Sequence, residues 1–257
     1  MTKSEKNIIF LHLPKNAGTT FKSILSKYYD KENIFQVGYN SSGIWNMEEL
    51  KSSPKEELAK INLLQGHFNY GIHEIFERDF RYITMLRNPI ERTISFYNYI
   101  RRQKEHRLLS AVQNRTLLEC ITEIRDFDVI NGQARKLSGT HNEDKMLDLA
   151  LKNIDQHFDF VGIQERFDES LILLHKTYNW NKIFYKSLNK TSKQSEISPE
   201  LISAITETNE IDMKLYEIIN QRFTKELERI NFLPTKLKMF NMINRNEKAS
   251  KFLNKRL

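Results

Sequence analysis

The stretch IIFLHLPKNAGTT, residues 8–20, decides the fold. Residues 8–13 are an apolar run of strand length, and Pro14 ends the strand pattern. Residues 19–28 then carry apolar side chains at helical spacing. The sequence therefore predicts a strand, a tight turn and a helix in immediate succession.

The turn between this strand and helix, residues 14–20, has the composition of an anion site. Backbone N–H groups of such a turn and of the helix N-terminus point toward one spot. Gly18 permits close backbone approach, the hydroxyls of Thr19 and Thr20 add donors, and Lys15 adds a positive charge. The nucleotide loop G-x-x-x-x-G-K-[ST] does not match, because Lys15 precedes the glycine. An ordinary capped strand-to-helix turn stays an alternative.

A second candidate anion site follows the apolar run at residues 82–86. Arg87 ends this run, at the edge where open parallel sheets bind ligands. Pro89 suits the first turn of a helix, on which Ser95 can approach the same anion as Arg87. Magnesium-dependent phosphoryl transferases usually place an aspartate at such a strand end. Arginine there predicts anion chemistry without a metal.

Apolar runs of strand length alternate with segments of helical periodicity along the rest of the chain. The further predicted strands are residues 34–37, 62–66, 158–163 and 183–185, and the further helices are residues 89–102, 144–154, 168–178 and 211–230. This alternation predicts an α/β fold with a mostly parallel central sheet flanked by helices, of the P-loop nucleoside-kinase-like type. We expect one domain over residues 1–235 and a basic tail or helix over 236–257.

Composition restricts the partners and the compartment. The chain has 257 residues, 39% of them hydrophobic, and a net charge of +7, which favours anionic partners. A single cysteine, Cys120, allows no intrachain disulfide, so we predict a cytoplasmic protein. We read Cys120 as core packing. The apolar start is too short to span a bilayer, and we expect neither a signal peptide nor an anchor.

Several segments resemble one enzyme family. Residues 14–20 resemble the 5′-phosphosulfate loop of sulfotransferases that use 3′-phosphoadenosine 5′-phosphosulfate (PAPS), and RNPIERTISFY, residues 87–97, resembles their 3′-phosphate motif. Four further segments resemble the carbohydrate branch of this family, sulfotransferase family 2, which contains the heparan sulfate 2-O-sulfotransferases. They are GHF (66–68), NGQAR (131–135), FVGIQERF (160–167) and NKT (189–191).

The resemblance implies transfer of a sulfuryl group from PAPS, as co-substrate, to a hydroxyl of an acceptor, for which a glycan or glycolipid is expected. It implies that the 5′-phosphosulfate is surrounded by Lys15, Asn16, Ala17, Gly18, Thr19 and Thr20. It further implies that Arg87 and Ser95 hold the 3′-phosphate. Lys190 and Thr191 would belong to a loop that closes over the nucleotide.

His67 is the candidate base, with Lys15 as the catalytic cation. His67 follows the strand predicted at residues 62–66, and the matching histidine of the resembled family acts as the base. A neutral imidazole with an ordinary pKa of about 6.5 can take a proton from an acceptor hydroxyl. We interpret His12 as a buried, hydrogen-bonded core residue. The seven histidines suggest no metal site.

Two other functions remain open at this point. A metal-dependent kinase of a small molecule would share the fold, and a non-catalytic module could use the basic surface to bind glycans or nucleic acid. Aromatic and basic residues do not alternate as expected for single-strand binding, so no specific nucleic-acid partner is predicted. The basic end of the chain, residues 236–257, is either a solvated tail or a weak contact with a membrane surface.

Overall fold

The computed structural model describes residues 6–40, 43–45, 47–124, 129–181, 183–185 and 197–246. Within these ranges one six-stranded sheet has the strand order β3-β2-β4-β1-β5-β6. Its strands are β1 (Ile8–Leu11), β2 (Ile34–Asn40), β3 (Gly43–Trp45), β4 (Leu63–Gly66), β5 (Arg81–Leu86) and β6 (Phe158–Ile163). All neighbouring pairs are parallel except β2 with β3, which is antiparallel.

Helices connect and cover the strands. They are α1 (Gly18–Leu25), α2 (Met47–Ser52), α3 (Lys55–Leu58), α4 (Pro89–Ile100), α5 (Leu109–Val112), α6 (Leu117–Glu123), α7 (Gly132–Ser138), α8 (Glu143–His157), α9 (Phe167–Tyr178), α10 (Pro199–Thr208), α11 (Glu210–Glu228) and α12 (Leu233–Arg245). Short 3₁₀ turns cover Lys31–Asn33, Ile72–Ile75 and Gln164–Arg166. The predicted α/β fold with a mostly parallel central sheet is confirmed.

The central strands are mostly apolar and buried because helices cover both faces of the sheet. All four residues of β1 have no exposed surface, and every residue of β4 is buried. The chain moves from β1 to β2, returns to β4, and then crosses β1 to reach β5. The strand order therefore reverses around β1, and ligands of open α/β sheets bind at the carboxyl ends of the strands beside such a reversal.

One predicted strand is wrong. Residues 183–185 are as apolar as the sheet strands, but they form no strand in the structure. The backbone N–H of Tyr185 donates instead to Oδ1 of Asn244 on α12, at 3.0 Å. Ile183 and Phe184 are buried in the main core. A short apolar run identifies burial, but it does not distinguish a strand from an irregular buried segment.

A second apolar core lies between helices away from the sheet. It is formed by residues of α4, α5, α6 and α10, among them Ile100, Val112 and Ile205. Cys120 on α6 has no exposed surface and belongs to this core, which confirms its prediction as a packing residue.

The basic end of the chain begins as a helix. The predicted border between residues 235 and 236 falls inside α12, whose Phe240 stacks on Phe184 with ring centroids 5.3 Å apart. Residues 247–257, the remainder of the predicted basic segment, lie outside the described residues. Among the helices in the described ranges, none is long and apolar enough to cross a bilayer.

Candidate active site

Three adjacent strands bring the predicted site residues to one edge of the sheet. β1 lies between β4 and β5, and all three are parallel. The loop of residues 12–17 follows β1, His67 follows β4, and Arg87 follows β5. Because the carboxyl ends of parallel strands meet at one edge, the loop, the candidate base and the candidate phosphate ligand lie side by side there.

The loop after β1 has an unusual backbone. Lys15 and Ala17 have φ angles of 71° and 56°, in the left-handed region that side chains other than glycine rarely adopt. Alternation of left- and right-handed residues turns successive N–H groups toward one side, which is the geometry of an anion nest. Ala17 is the N-cap of α1 and has no side-chain oxygen to accept the first helical N–H groups. Thr19, exposed, and Thr20, half-buried, lie in the first turn of α1.

The side chain of Asn16 faces into the protein. It is 1% exposed, and its Nδ2 donates to the carbonyl oxygen of Met85 at 2.7 Å and to Oε1 of Gln133 at 2.8 Å. These bonds join the loop to the end of β5. The amide group is therefore turned away from the sheet edge, and a contact between Asn16 and an anion would be made by its backbone.

Gly18 is required by the imidazole of His12. A Cβ atom at position 18 would lie 1.7 Å from Nε2 of His12, a distance that no side chain can occupy. His12 is 8% exposed, as predicted, but its Nδ1 is buried without a hydrogen-bond partner. The expectation of a hydrogen-bonded side chain is thus wrong for this nitrogen.

His67 is held directly by the end of β1. Its Nδ1 lies 2.8 Å from the carbonyl oxygen of His12, and the two imidazole rings stack with centroids 4.2 Å apart. A carbonyl oxygen only accepts, so Nδ1 of His67 carries the proton and donates it. The lone pair of the neutral ring is then on Nε2. Gly66 permits this position, because a Cβ there would lie 1.9 Å from the carbonyl oxygen of Val37.

The pKa of His67 is lowered to about 4, mainly by burial; the hydrogen bond to His12 opposes this shift, and the charges of Lys136 and Lys22 contribute to it. Burial also lowers the pKa of His12 well below its ordinary value. The expected ordinary pKa of about 6.5 for His67 is therefore wrong. In this setting the ring is neutral across the physiological pH range, as a general base must be.

Lys15 lies among other cations. Its Nζ is 4.3 Å from the centroid of the Tyr99 ring. Burial lowers the pKa of Lys15 to about 8, and the positive charges of Arg102 and Arg87 contribute to the shift. An anion placed among these three side chains would relieve their repulsion and restore the charge of Lys15.

Arg87 connects the two predicted anion motifs. Its Nη1 donates to the carbonyl oxygen of Lys15 at 3.0 Å, and only 7% of the residue is exposed. Its Nε is buried and has no hydrogen-bond partner. The carboxylates of Glu91 and Glu165 lie 3.6 and 3.9 Å from the guanidinium. Glu165 itself accepts from the N–H of Asn88 at 2.9 Å, so Arg87 is oriented by neighbours on both sides.

Gln133, for which no role was predicted, hydrogen-bonds to both the loop after β1 and the residue after β5. Gln133 has no exposed surface. Its Oε1 accepts from the N–H of Arg87 at 3.0 Å, in addition to Nδ2 of Asn16, and its Nε2 donates to the carbonyl oxygen of Arg87 at 2.9 Å. One side-chain amide thus holds both the loop at residues 14–20 and the end of β5. The NGQAR motif was the signal that could have indicated this role.

Arg92, which shares the RNPIERTISFY segment with Arg87, has a structural role. It is 1% exposed, and its Nη1 lies 3.7 Å from Oδ2 of Asp212 on α11. Its guanidinium also donates to the carbonyl oxygens of Pro14 and Val129. Asp212 accepts from the first N–H groups of α7. This buried pair ties α4, α7 and α11 to the base of the loop.

Three further residues were predicted to contact the nucleotide, and the structure describes one of them. Ser95 lies on α4 and is 9% exposed, and its approach to a phosphate shared with Arg87 stays a prediction. Lys190 and Thr191 lie outside the described residues. Within the described ranges, no group of three or more His, Cys, Asp or Glu side chains is arranged to hold a metal ion. A reaction without a metal also stays a prediction.

Comparison with known proteins agrees with this reading of the motifs. The family model of galactose-3-O-sulfotransferase matches residues 2–250. Galactose-3-O-sulfotransferase 3 of Mus musculus is 25% identical over 86% of this chain and 57% of its own length. Galactosylceramide sulfotransferase of Mus musculus is 24% identical over 87% of this chain and 58% of its own length. The chain thus spans somewhat more than half the length of these relatives.

A crystal structure of a mouse sulfotransferase complexed with PAP covers 93% of this chain, at 15% identity and a TM-score of 0.38, which is too low to support an argument. The family match does not depend on that structure, since it extends over nearly all of the sequence. The resemblance to carbohydrate sulfotransferases is confirmed. The chain belongs to the galactose-3-O-sulfotransferase family.

Proposed function

We propose that this protein transfers the sulfuryl group of PAPS to a hydroxyl of a galactose-containing glycan or glycolipid. The observation that carries the proposal is the meeting of the loop at residues 14–20, His67 and Arg87 at the ends of three adjacent central strands. The acceptor class is supported by the printed names of the relatives, which are sulfotransferases of galactose and galactosylceramide.

The residues at this edge suit the donor. The left-handed Lys15 and Ala17 and the start of α1 supply N–H groups for the 5′-phosphosulfate. The Nε of Arg87 makes no hydrogen bond within the protein, and its nearest carboxylate oxygen, on Glu165, is 3.9 Å away, so a phosphate oxygen of the nucleotide could compete for this guanidinium. Lys15, Arg87 and Arg102 repel one another, and a polyanion binds best where fixed cations are already held together.

The chemistry is an in-line displacement at sulfur. The acceptor oxygen forms a bond to sulfur while the bond from sulfur to the phosphate oxygen breaks, and the electron pair of that bond stays on the phosphate. His67 accepts the hydroxyl proton at Nε2, because Nδ1 is committed to the carbonyl oxygen of His12. Lys15 and the loop N–H groups stabilise the negative charge that develops on the departing phosphate. Adenosine 3′,5′-bisphosphate is the product.

Calorimetric titration with adenosine 3′,5′-bisphosphate tests this donor site. Lys15→Ala and Arg87→Ala should each weaken binding, since each loses charge-assisted hydrogen bonds of about 1.5 to 3 kcal/mol. Lys60→Ala, at an exposed lysine of the surface, is the control and should bind as the parent does. Unchanged affinity in both site variants would show that the nucleotide binds elsewhere.

A metal-dependent kinase would respond differently to the removal of divalent cations. Sulfuryl transfer by fixed cations should continue in a chelator, because the charged groups that we assign to the donor are side chains and backbone N–H groups. Loss of turnover in EDTA that magnesium restores, together with consumption of ATP, would support the kinase instead.

A further inference from the structure

Helix α12 exposes an apolar stripe to solvent. Of the four large hydrophobic side chains that are exposed within the described ranges, three belong to this stripe: Phe232, Met239 and Met242, at 79%, 55% and 67%. Their spacing of seven and three residues places them on one side of the helix. A different side of the helix packs on the protein through Phe240, which is 5% exposed.

Two exposed lysines border the stripe. Lys236 follows Phe232 by four residues, and Lys238 precedes Met242 by four, so each ammonium group lies beside an apolar member of the stripe. The sequence of α12 contains no acidic residue. The outer face of the helix therefore combines apolar side chains with positive charge.

Phe232 is an unusual choice at its position. It is the N-cap of α12 with a φ of 58°, a left-handed conformation that glycine or asparagine adopts at much lower cost than an aromatic residue. Its ring is 79% exposed, so the ring gains little from the protein core. An external apolar contact would account for an aromatic residue there.

We propose that the outer face of α12 docks on an anionic membrane surface. Phe232, Met239 and Met242 would enter the boundary between headgroups and acyl chains, while Lys236 and Lys238 stay at the acidic headgroups. A second copy of the chain fits this face less well, because a twofold contact would bring the lysines of both copies together. This inference is independent of the proposed sulfuryl transfer, since its test measures lipid binding alone.

The test is sedimentation of the full chain with vesicles of phosphatidylcholine, with and without phosphatidylserine. The parent should bind the vesicles that contain phosphatidylserine and remain in solution with pure phosphatidylcholine. Lys236→Gln with Lys238→Gln should weaken the partition by about five-fold per lysine. Phe232→Asn with Met239→Gln and Met242→Gln should weaken it at least ten-fold, since the apolar insertion is lost.

The matched control is Ile202→Gln on α10, which removes the fourth exposed large apolar side chain of the described ranges and should leave binding unchanged. All these positions are exposed, so the thermal midpoint of each variant should stay close to that of the parent, which separates lost docking from lost folding. Failure of the parent to sediment with acidic vesicles would overturn the proposal. Undiminished binding of the apolar variant, or dimerisation of the parent that this variant abolishes in sedimentation velocity, would also overturn it.

Discussion

Nδ1 of His67 donates to the carbonyl oxygen of His12 across 2.8 Å, so the residue that follows β4 is oriented by the residue that follows β1. The bond is to the backbone, and its geometry therefore depends on the position of the loop rather than on the side chain of His12. The same loop carries Lys15 and begins α1. The candidate base is thus joined to the candidate anion site by a hydrogen bond to the loop backbone.

His67→Ala should reduce turnover without reducing nucleotide affinity. A lost general base costs about two to four powers of ten in kcat, whereas the anion contacts that we propose lie in the loop and at Arg87. Steady-state kinetics and calorimetry with adenosine 3′,5′-bisphosphate measure the two effects separately. His141→Ala, at an exposed histidine, is the control. A His67→Ala protein that turns over at the parental rate would assign the base to another residue.

The pH profile should have two limbs set by His67 and Lys15. The neutral form of His67 is active, so kcat/KM should rise with pH through a pKa near 4 and be level at neutral pH. The charged form of Lys15 is active, so kcat/KM should fall as pH rises through about 8. In kcat the alkaline limb should move to higher pH, because a bound anion favours the charged lysine.

Lys15→Arg supplies the check on the alkaline limb. Arginine keeps its charge over this range, so the fall near pH 8 should disappear even if overall activity is lower. A fall that persists in Lys15→Arg would assign that limb to another group.

Gly18→Ala should impair the site through His12. The added Cβ would lie 1.7 Å from Nε2 of His12, so the ring must move, and His67 stacks on that ring. We expect loss of both thermal stability and nucleotide affinity. His12→Ala removes the obstructing ring. The double variant Gly18→Ala with His12→Ala should therefore lose less stability than the sum of the two single losses, by a coupling free energy of about 1 kcal/mol or more. Strictly additive losses in a double-mutant cycle would contradict this contact.

Gln133→Leu should destabilise the fold and weaken the donor site together. Asn16 and both backbone groups of Arg87 would lose buried hydrogen bonds, and each unsatisfied group costs about 1 to 3 kcal/mol. Urea unfolding and nucleotide titration measure the two effects. Gln133→Glu should also lower both, because a carboxylate at this fully buried position would face the carbonyl oxygen of Arg87. Equal stability of Gln133→Leu and the parent would show that the amide is dispensable.

The fold could be predicted from the sequence because its central strands are mostly apolar runs that are followed by distinctive residues. Strand β6 was predicted at residues 158–163, where the structure has it. The wrong strand at residues 183–185 is also apolar, but its backbone groups bond to the side chains of Asn244 and Lys27. Local sequence patterns predict burial well, but they do not predict the hydrogen-bond partner of a buried backbone group.

The candidate site could be predicted only in part. The order of Lys15, His67 and Arg87 after three strands is readable from the sequence. The roles of Gln133 and Asp212 depend on bonds to residues 46 and 79 positions away, which no local pattern contains. The low pKa of His67 likewise follows from burial and from two lysines on the helices α1 and α7. Roles for Ser95, Lys190 and Thr191 and the cytoplasmic location stay predictions.

The most direct test of the proposed function is transfer of label from sulfur-labelled PAPS to a panel of acceptors, with parent protein and His67→Ala side by side. The panel holds galactose-terminated oligosaccharides, galactosylceramide, the same glycans without galactose, phenols and a tyrosine peptide. We predict label in the galactose-containing acceptors with the parent and at least a hundred-fold less with His67→Ala. Label confined to acceptors without galactose, or none in any acceptor despite tight binding of adenosine 3′,5′-bisphosphate, would contradict it.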